Sequence, residues 1–180
     1  VPNPTHAVAN VIHNTNLQSG DEVLTTNLEY GSCDRMWTYD ANQKGYQYIH
    51  AQLTLPVINK EIFLNEFWSY ATERTRYIFI SQITSATRMI LPIPEIVAEA
   101  KKRGIQTIVD GAHVPGHISL DIKELDPDYY TGCHLYITDP ADDPLCVDLV
   151  WPRLIKKKNL NYHSRPYISL RNYLPTLTST

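Results

Sequence analysis

The chain has 180 residues, of which 43% are apolar and 19% are charged, and its formal net charge is −3 at pH 7. This length fits one domain with a real hydrophobic core, and the composition is that of an ordinary soluble protein. No basic face favours nucleic acid, no apolar run approaches the ~20 residues that cross a bilayer, and no signal segment opens the chain. We therefore predict a cytoplasmic protein that binds neither nucleic acid nor a membrane.

The three cysteines, Cys33, Cys133 and Cys146, are irregularly spaced and form no Cys-x-x-Cys pair or zinc pattern. We expect reduced thiols and no metal site. The sequence opens at Val1, without an initiating methionine or a preceding strand. We therefore expect a fragment or a processed form of a longer protein.

The first predicted element is a short amphipathic helix. Asn3 suits the N-cap and Pro4 the first helical position, while Val8, Val11 and Ile12 fall on one face at helical spacing.

Short apolar strands then alternate with helices. The predicted strands are 22–26, 46–53, 76–81 and 105–109, with a fifth ending before Thr131, and the predicted helices are 33–43, 60–70 and 94–103. Uninterrupted apolar strands separated by helices are typical of βαβ units and of a parallel sheet covered on both faces. The pattern predicts an α/β fold with a doubly wound, mainly parallel sheet.

The regular alternation ends near Thr138. Residues 139–144 have the composition of a turn, 156–158 form a short basic run, and 165–173 could be one last strand. A solvated helix end or loop is the favoured interpretation of the basic run, over a binding patch.

Ligands of parallel α/β sheets bind beyond the carboxyl ends of the strands. Four groups of residues lie directly after predicted strands. They are Glu29-Tyr30, residues 81–85, Asp110 to His113, and Thr131 to His134.

Asp110 is the most informative of these residues. It follows a buried strand, where an unpaired carboxylate is costly, so we expect a cationic partner such as a protonated heteroaromatic nitrogen. An aspartate that caps the turn through Gly111 explains the position equally well. His113 has the same ambiguity between a turn residue and a ligand contact.

The N-terminus of the first helix favours an anion such as phosphate, although simple capping by Asn3 is the commoner situation. Tyr30 could stack on an aromatic ligand or only pack against the protein. On spacing alone, packing is the favoured interpretation.

Five segments in order and spacing resemble the class V aminotransferases, over about residues 3 to 134. They are Asn-Pro-Thr-His-Ala-Val-Ala-Asn, Gly-Asp-Glu-Val-Leu-Thr-Thr-Asn-Leu-Glu-Tyr-Gly, Ser-Gln-Ile-Thr-Ser-Ala-Thr, Val-Asp-Gly-Ala-His-Val-Pro-Gly-His-Ile and Asp-Tyr-Tyr-Thr-Gly-Cys-His. The second and fourth segments are similar to the isopenicillin N epimerase-like branch more than to cysteine desulfurases.

The resemblance implies a pyridoxal 5'-phosphate (PLP) enzyme of fold type I. Residues 1–137 would be the PLP-binding part of the large domain, and 138–180 an irregular remainder of a small domain that is mostly missing.

The resemblance also implies roles for individual residues. Thr5 and His6 would bind the phosphate, Tyr30 would cover the ring, and Asp110 would pair with the pyridine nitrogen. Gln82 and His113 would lie near the phenolic oxygen. His134 would flank the lysine–cofactor linkage as a catalytic residue, and Arg171 is a candidate for binding the substrate carboxylate.

The family has its Schiff-base lysine directly after that histidine, whereas this sequence has Leu135. Two interpretations follow from the resemblance. One is a PLP-dependent enzyme, homodimeric when its fold is complete, that acts at the α-carbon of a small amino-acid substrate by epimerisation, β-elimination or C–S cleavage. The other is an inactive or truncated protein of the same fold. A generic Rossmann-type nucleotide binder is weaker, because no Gly-x-Gly-x-x-Gly follows a strand.

Overall fold

A computed structural model describes residues 3–57 and 59–132. Its helices are α1 (Pro4–His13), α2 (Gly31–Lys44), α3 (Lys60–Trp68), α4 (Ile93–Arg103) and α5 (Ile122–Leu125). Its strands are β1 (Glu22–Thr26), β2 (Gln47–Ala51), β3 (Thr75–Ser81), β4 (Gln106–Gly111) and β5 (Tyr129–Gly132).

The strands form one parallel sheet in the order β2-β1-β3-β4-β5. The predicted doubly wound, parallel sheet is confirmed, and 22–26, 76–81 and 105–109 contribute to it as expected. The chain leaves β1 toward β2 and then returns past β1 to β3. Strand order therefore reverses between β1 and β3, and such a switch point is where open α/β sheets bind ligands.

Helices cover both faces of the sheet. Val8 of α1 and Trp37 of α2 pack on one face, together with Phe79 and Ile108. Phe63 of α3 and Ile96 of α4 pack in the core of the other face. All five residues of β1 are buried, because a strand covered on both sides has no solvent face.

The ends of several helices follow the predicted signals. The side chain of Asn3 accepts a hydrogen bond from the His6 backbone N–H at 2.9 Å, and Pro4 occupies the first turn of α1. Gly45 and Gly104 end α2 and α4 with φ angles of 78° and 70°, a left-handed conformation that glycine adopts without strain.

Some boundaries differ from the predictions. Strand β2 is shorter than 46–53, and α3 ends at Trp68 rather than at residue 70. Strand β4 continues through Asp110 and Gly111, because these residues pair with Thr131 and Gly132 of β5. Asp110 therefore lies within the last part of the strand and not after it.

Among the described residues, no helix is long and apolar enough to span a lipid bilayer. The predicted domain boundary at 137 and the predicted strand at 165–173 lie outside the described residues.

Candidate functional site

The carboxyl ends of β1, β3 and β4 meet at the switch point. Ser81 is the register partner of Asp110, and the backbone N–H of Gln82 donates to the Asp110 carbonyl at 2.8 Å. Gln82 and Asp110 are therefore held side by side. Gln82 and Asp110 are 28 positions apart in the chain, and both lie at the carboxyl edge of the sheet.

Glu29 joins the loop after β1 to the end of β3. Its Oε2 accepts hydrogen bonds from the backbone N–H of Ser81 at 2.9 Å and from the Ser81 hydroxyl at 2.5 Å. Its Oε1 accepts from the Thr26 hydroxyl at 2.6 Å. Burial raises the pKa of Glu29 to about 7, the hydrogen bonds from Ser81 and Thr26 oppose this rise, and the charge of Asp110 adds to it.

Asp110 is 6% exposed and lies close enough to Glu29 for its charge to raise the pKa of that carboxyl. Its Oδ1 accepts from the Ala112 backbone N–H at 3.0 Å and from the Thr131 hydroxyl at 3.3 Å. Asp110 therefore caps the turn through Gly111, as one of the two interpretations predicted. Within residues 3–57 and 59–132, no lysine or arginine forms an ion pair with Asp110, and its Oδ2 accepts no hydrogen bond.

Burial raises the pKa of the Asp110 carboxyl, while the hydrogen bonds from Ala112 and Thr131 and the charge of His113 lower it. His113 is exposed in the turn that follows β4. Among the residues that the structure describes, His113 is the cationic side chain whose charge lowers the pKa of Asp110. The charge of Asp110 is therefore only partly compensated, so a cation next to this carboxylate would be favoured.

Tyr30 occupies the N-cap position of α2, next to Glu29, and its side chain makes no capping hydrogen bond. It is 44% exposed, which is high for a large aromatic residue. Because Glu29 is bonded to Ser81, Tyr30 lies at the edge of the sheet that also carries Gln82 and Asp110.

Helix α1 directs its N-terminus toward this edge. Its last residues are followed by Asn16, whose backbone contacts the hydroxyl of Tyr77 near the amino end of β3. Helix α1 therefore runs antiparallel to the strands, so Thr5 and His6 in its first turn lie toward their carboxyl ends. The Asn3 side chain uses the His6 N–H, so the predicted simple capping is also present.

Tyr130 contacts Gln82 and was not indicated by the sequence, whereas Glu29 was named there together with Tyr30. Tyr130 donates its hydroxyl to Gln82 Oε1 at 2.8 Å, and Gly111 lies beneath the phenol ring. Tyr130 and Glu29 gain their positions from pairing across the sheet, which periodicity does not reveal. For Glu29, its place directly after β1 was the available signal. The predicted site residues His134 and Arg171, and also Leu135, lie outside the described residues.

Comparison with known proteins gives a consistent assignment. The model of the family "Aminotransferase class-V" matches residues 2–134. Isopenicillin N epimerase of Streptomyces clavuligerus is 35% identical over 141 residues, which cover 77% of this chain and 35% of that protein. Hercynylcysteine sulfoxide lyase of Schizosaccharomyces pombe is 29% identical over 139 residues, which cover 76% and 35%.

A solved structure of a C-DES variant, with glycine covalently linked to its PLP cofactor, aligns with a TM-score of 0.66 at 24% identity. The alignment covers 73% of this chain and 35% of that one. The fold is therefore that of the fold-type I large domain. The chain spans about a third of the length of these relatives. With a family model that matches most of its length, this chain belongs to the class V aminotransferases.

Proposed function

We propose that this chain binds PLP at the carboxyl edge of its sheet and is the cofactor-binding part of an enzyme that acts at the α-carbon of an amino acid. The observation that carries the proposal is Asp110. Its carboxylate is buried at the carboxyl edge of the sheet, and no lysine or arginine among the described residues pairs with it. A pyridinium N–H is a cation that fits this position and can donate to Oδ2.

When bound, PLP supplies an electron sink for reactions at the α-carbon. The residues of this chain would hold and tune it. Asp110 would keep the proton on the ring nitrogen, because a nearby carboxylate favours the protonated base. Tyr30, exposed beside the cleft, would cover one face of the ring.

The remaining contacts would orient the cofactor. Gln82 and His113 would lie near the phenolic oxygen. Thr5 and His6 would contribute to phosphate binding at the N-terminus of α1, where the helix dipole favours an anion.

The reaction would be epimerisation, β-elimination or C–S cleavage of a small amino acid. Support comes from the relatives, one named an epimerase and the other a sulfoxide lyase. In this proposal His134 is a catalytic residue, Arg171 binds the substrate carboxylate, and two copies of the complete fold form a homodimer. The second candidate is a PLP-fold protein without turnover, and the observation that favours it is Leu135 directly after His134.

Titration of the full chain with PLP tests the proposal. We expect saturable binding, followed by cofactor absorbance, that Asp110→Asn weakens by about tenfold or more, because this substitution removes the charge that pairs with the ring nitrogen. Asp126→Asn is the matched control, since Asp126 lies at the exposed end of α5. Equal PLP affinity for wild type and Asp110→Asn would reject the assignment of Asp110.

A further inference from the structure

The side chains of Ser81 and Asp110 share one face of the sheet. Ser81 alternates with Phe79 along β3, and Phe79 lies in the core beneath α1 and α2. Asp110 alternates in the same way with Ile108 of that core. Because Ser81 and Asp110 are register partners on neighbouring strands about 5 Å apart, the Glu29 carboxylate that binds Ser81 is brought close to Asp110.

Neither carboxyl group has a strong cationic partner. Within residues 3–57 and 59–132, no lysine or arginine forms an ion pair with Glu29 or Asp110. His113 favours the ionised form of Asp110 from an exposed position. Two carboxylates this close repel each other where water screens them poorly, so ionisation of both at once is unfavourable.

The other ionisable groups near the pair add no positive charge. Three of them stay neutral, because burial and the neighbouring carboxylates raise their pKa values; they are Cys33 of α2, Tyr48 of β2 and Tyr130 of β5. Asp34 of α2 acts on the first two of these, and its Oδ1 lies 2.6 Å from His50 Nε2. The proton that can respond to a ligand beside Asp110 near neutral pH is therefore that of Glu29.

A cation next to Asp110 would change this balance. The pKa of Glu29 is about 7, because of burial in the first place and of the charge of Asp110 in addition. A positive charge beside Asp110 offsets that carboxylate and also attracts the charge of Glu29. The ionised form of Glu29 then becomes more favourable, and its proton passes to the solvent.

We propose that Glu29 is a positioning residue that completes the charge of the ring-binding site: when the pyridinium of PLP lies beside Asp110, Glu29 gives its proton to the solvent and supplies a second negative charge. This inference rests on the proposed function. It gives Glu29 a role that acts through Asp110 and requires no contact with the cofactor.

Calorimetric titration of the full chain with PLP measures the released proton. Heats recorded at pH 6.5 in two buffers of different ionisation enthalpy give the number of protons exchanged for each PLP bound. Wild type should release roughly 0.4 proton more than Glu29→Gln, the release expected if the pKa of Glu29 falls by about 0.7 on binding. Protons exchanged by PLP itself cancel in this difference. Glu124→Gln, at an exposed carboxylate, is the matched control and should behave as the wild type.

The pH profile of PLP affinity is a second measurement, which a merely structural role would not change. Because binding releases a proton, affinity should rise with pH through the range around 7 more steeply in wild type than in Glu29→Gln. Above about pH 8 the wild type should bind PLP roughly fivefold more tightly, and the two profiles should run parallel.

A second variant tests the same proton without removing the carboxyl group. Ser81→Ala deletes the hydroxyl that donates to Glu29 Oε2, a hydrogen bond that lowers the pKa of Glu29. The rise in affinity should therefore move to higher pH in Ser81→Ala, whether or not Glu29→Gln folds. Ser69→Ala, at the exposed end of α3, should leave the profile unchanged.

The outcomes distinguish this inference from the proposed function. Equal proton release by wild type and Glu29→Gln, or a Ser81→Ala profile that coincides with that of the wild type, overturns the role of Glu29 while PLP binding by the wild type stands. A wild-type chain that does not bind PLP overturns the proposed function and this inference with it.

Discussion

Glu29 holds the end of β3 with a single oxygen, because its Oε2 accepts both the backbone N–H and the hydroxyl of Ser81. The two residues are 52 positions apart and lie on opposite sides of the switch point. Since Tyr30 is the next residue in the chain, this contact fixes the start of α2 relative to Gln82 and Asp110. The contact therefore ties the loop after β1 to the carboxyl end of β3.

The first prediction concerns the pH dependence contributed by Glu29. Its folded pKa of about 7 lies above the ordinary value of 4.5, so the folded state binds this proton more tightly than the unfolded state does. The free energy of unfolding should therefore fall as pH rises from about 4.5 to 7, by up to about 3 kcal/mol, and level off above that range.

Urea unfolding of wild type and Glu29→Gln between pH 4.5 and 8 measures this contribution as a difference. The Gln variant should lack it, whereas Glu124→Gln, at an exposed carboxylate, should follow the wild type. If the curves of wild type and Glu29→Gln run parallel over this range, Glu29 is not the titrating group.

The second prediction separates ligand binding from stability at Asp110. Because burial raises the pKa of this carboxyl, its ionised form opposes folding of the chain without a ligand. Asp110→Asn keeps an oxygen for the Ala112 N–H and should be at least as stable as wild type at pH 8 in thermal unfolding. It should lose stabilisation by added PLP. A large loss of stability in the absence of PLP would contradict the view that the charge of Asp110 opposes folding.

The third prediction concerns the close approach of Gly111 and Tyr130. Gly111→Ala should destabilise the protein by about 1–3 kcal/mol, because its new Cβ overlaps the phenol. In combination with Tyr130→Leu, which shortens the opposing side chain, the cost of Gly111→Ala should be smaller. Denaturant unfolding of the two single variants and the double variant gives the coupling. Strict additivity would show that the two residues do not compete for this space.

Much of the fold could be predicted because its signals are local. The bounds of β1 were exact, and Asn3, Gly45 and Gly104 marked helix ends through capping and left-handed backbone. The predicted boundaries were wrong where pairing between strands determines the end of an element. The extension of β4 to Gly111 depends on β5, which is too short to predict its own partner.

In the candidate site, too, residues that follow a strand could be selected from the sequence, whereas contacts between strands could not. Tyr30, Gln82 and Asp110 could be selected because parallel strands place their following residues at one edge. The contacts of Glu29 with Ser81 and of Tyr130 with Gln82 could not, since each requires the strand order and register. Roles for these residues toward PLP came from the family resemblance and stay predictions.

The fourth prediction compares Tyr30, at the N-cap of α2, with Tyr39 within that helix. Tyr30 is 44% exposed at the carboxyl edge of the sheet, and Tyr39 is 69% exposed farther along the chain. Tyr30→Ala should weaken PLP binding about fivefold, since aromatic stacking contributes about 1 kcal/mol, whereas Tyr39→Ala should leave it unchanged. Both should change the free energy of unfolding by less than about 0.5 kcal/mol, as surface substitutions usually do. Equal effects of the two on PLP affinity would argue against stacking by Tyr30.

The last prediction concerns covalent attachment of the cofactor. The alkyl side chain of Leu135 cannot form an imine, and the neighbouring lysines, Lys123 and Lys156, lack the local context of the family lysine. We expect the chain to bind PLP weakly and without a covalent bond, so borohydride reduction and peptide mapping should find no single pyridoxylated lysine. Leu135→Lys should instead be labelled at position 135 and retain cofactor through gel filtration, whereas Leu135→Met should behave as the wild type. A pyridoxyl group on one lysine of the wild-type chain, with amino-acid turnover that is lost when that lysine is replaced, would show that another residue has taken the role.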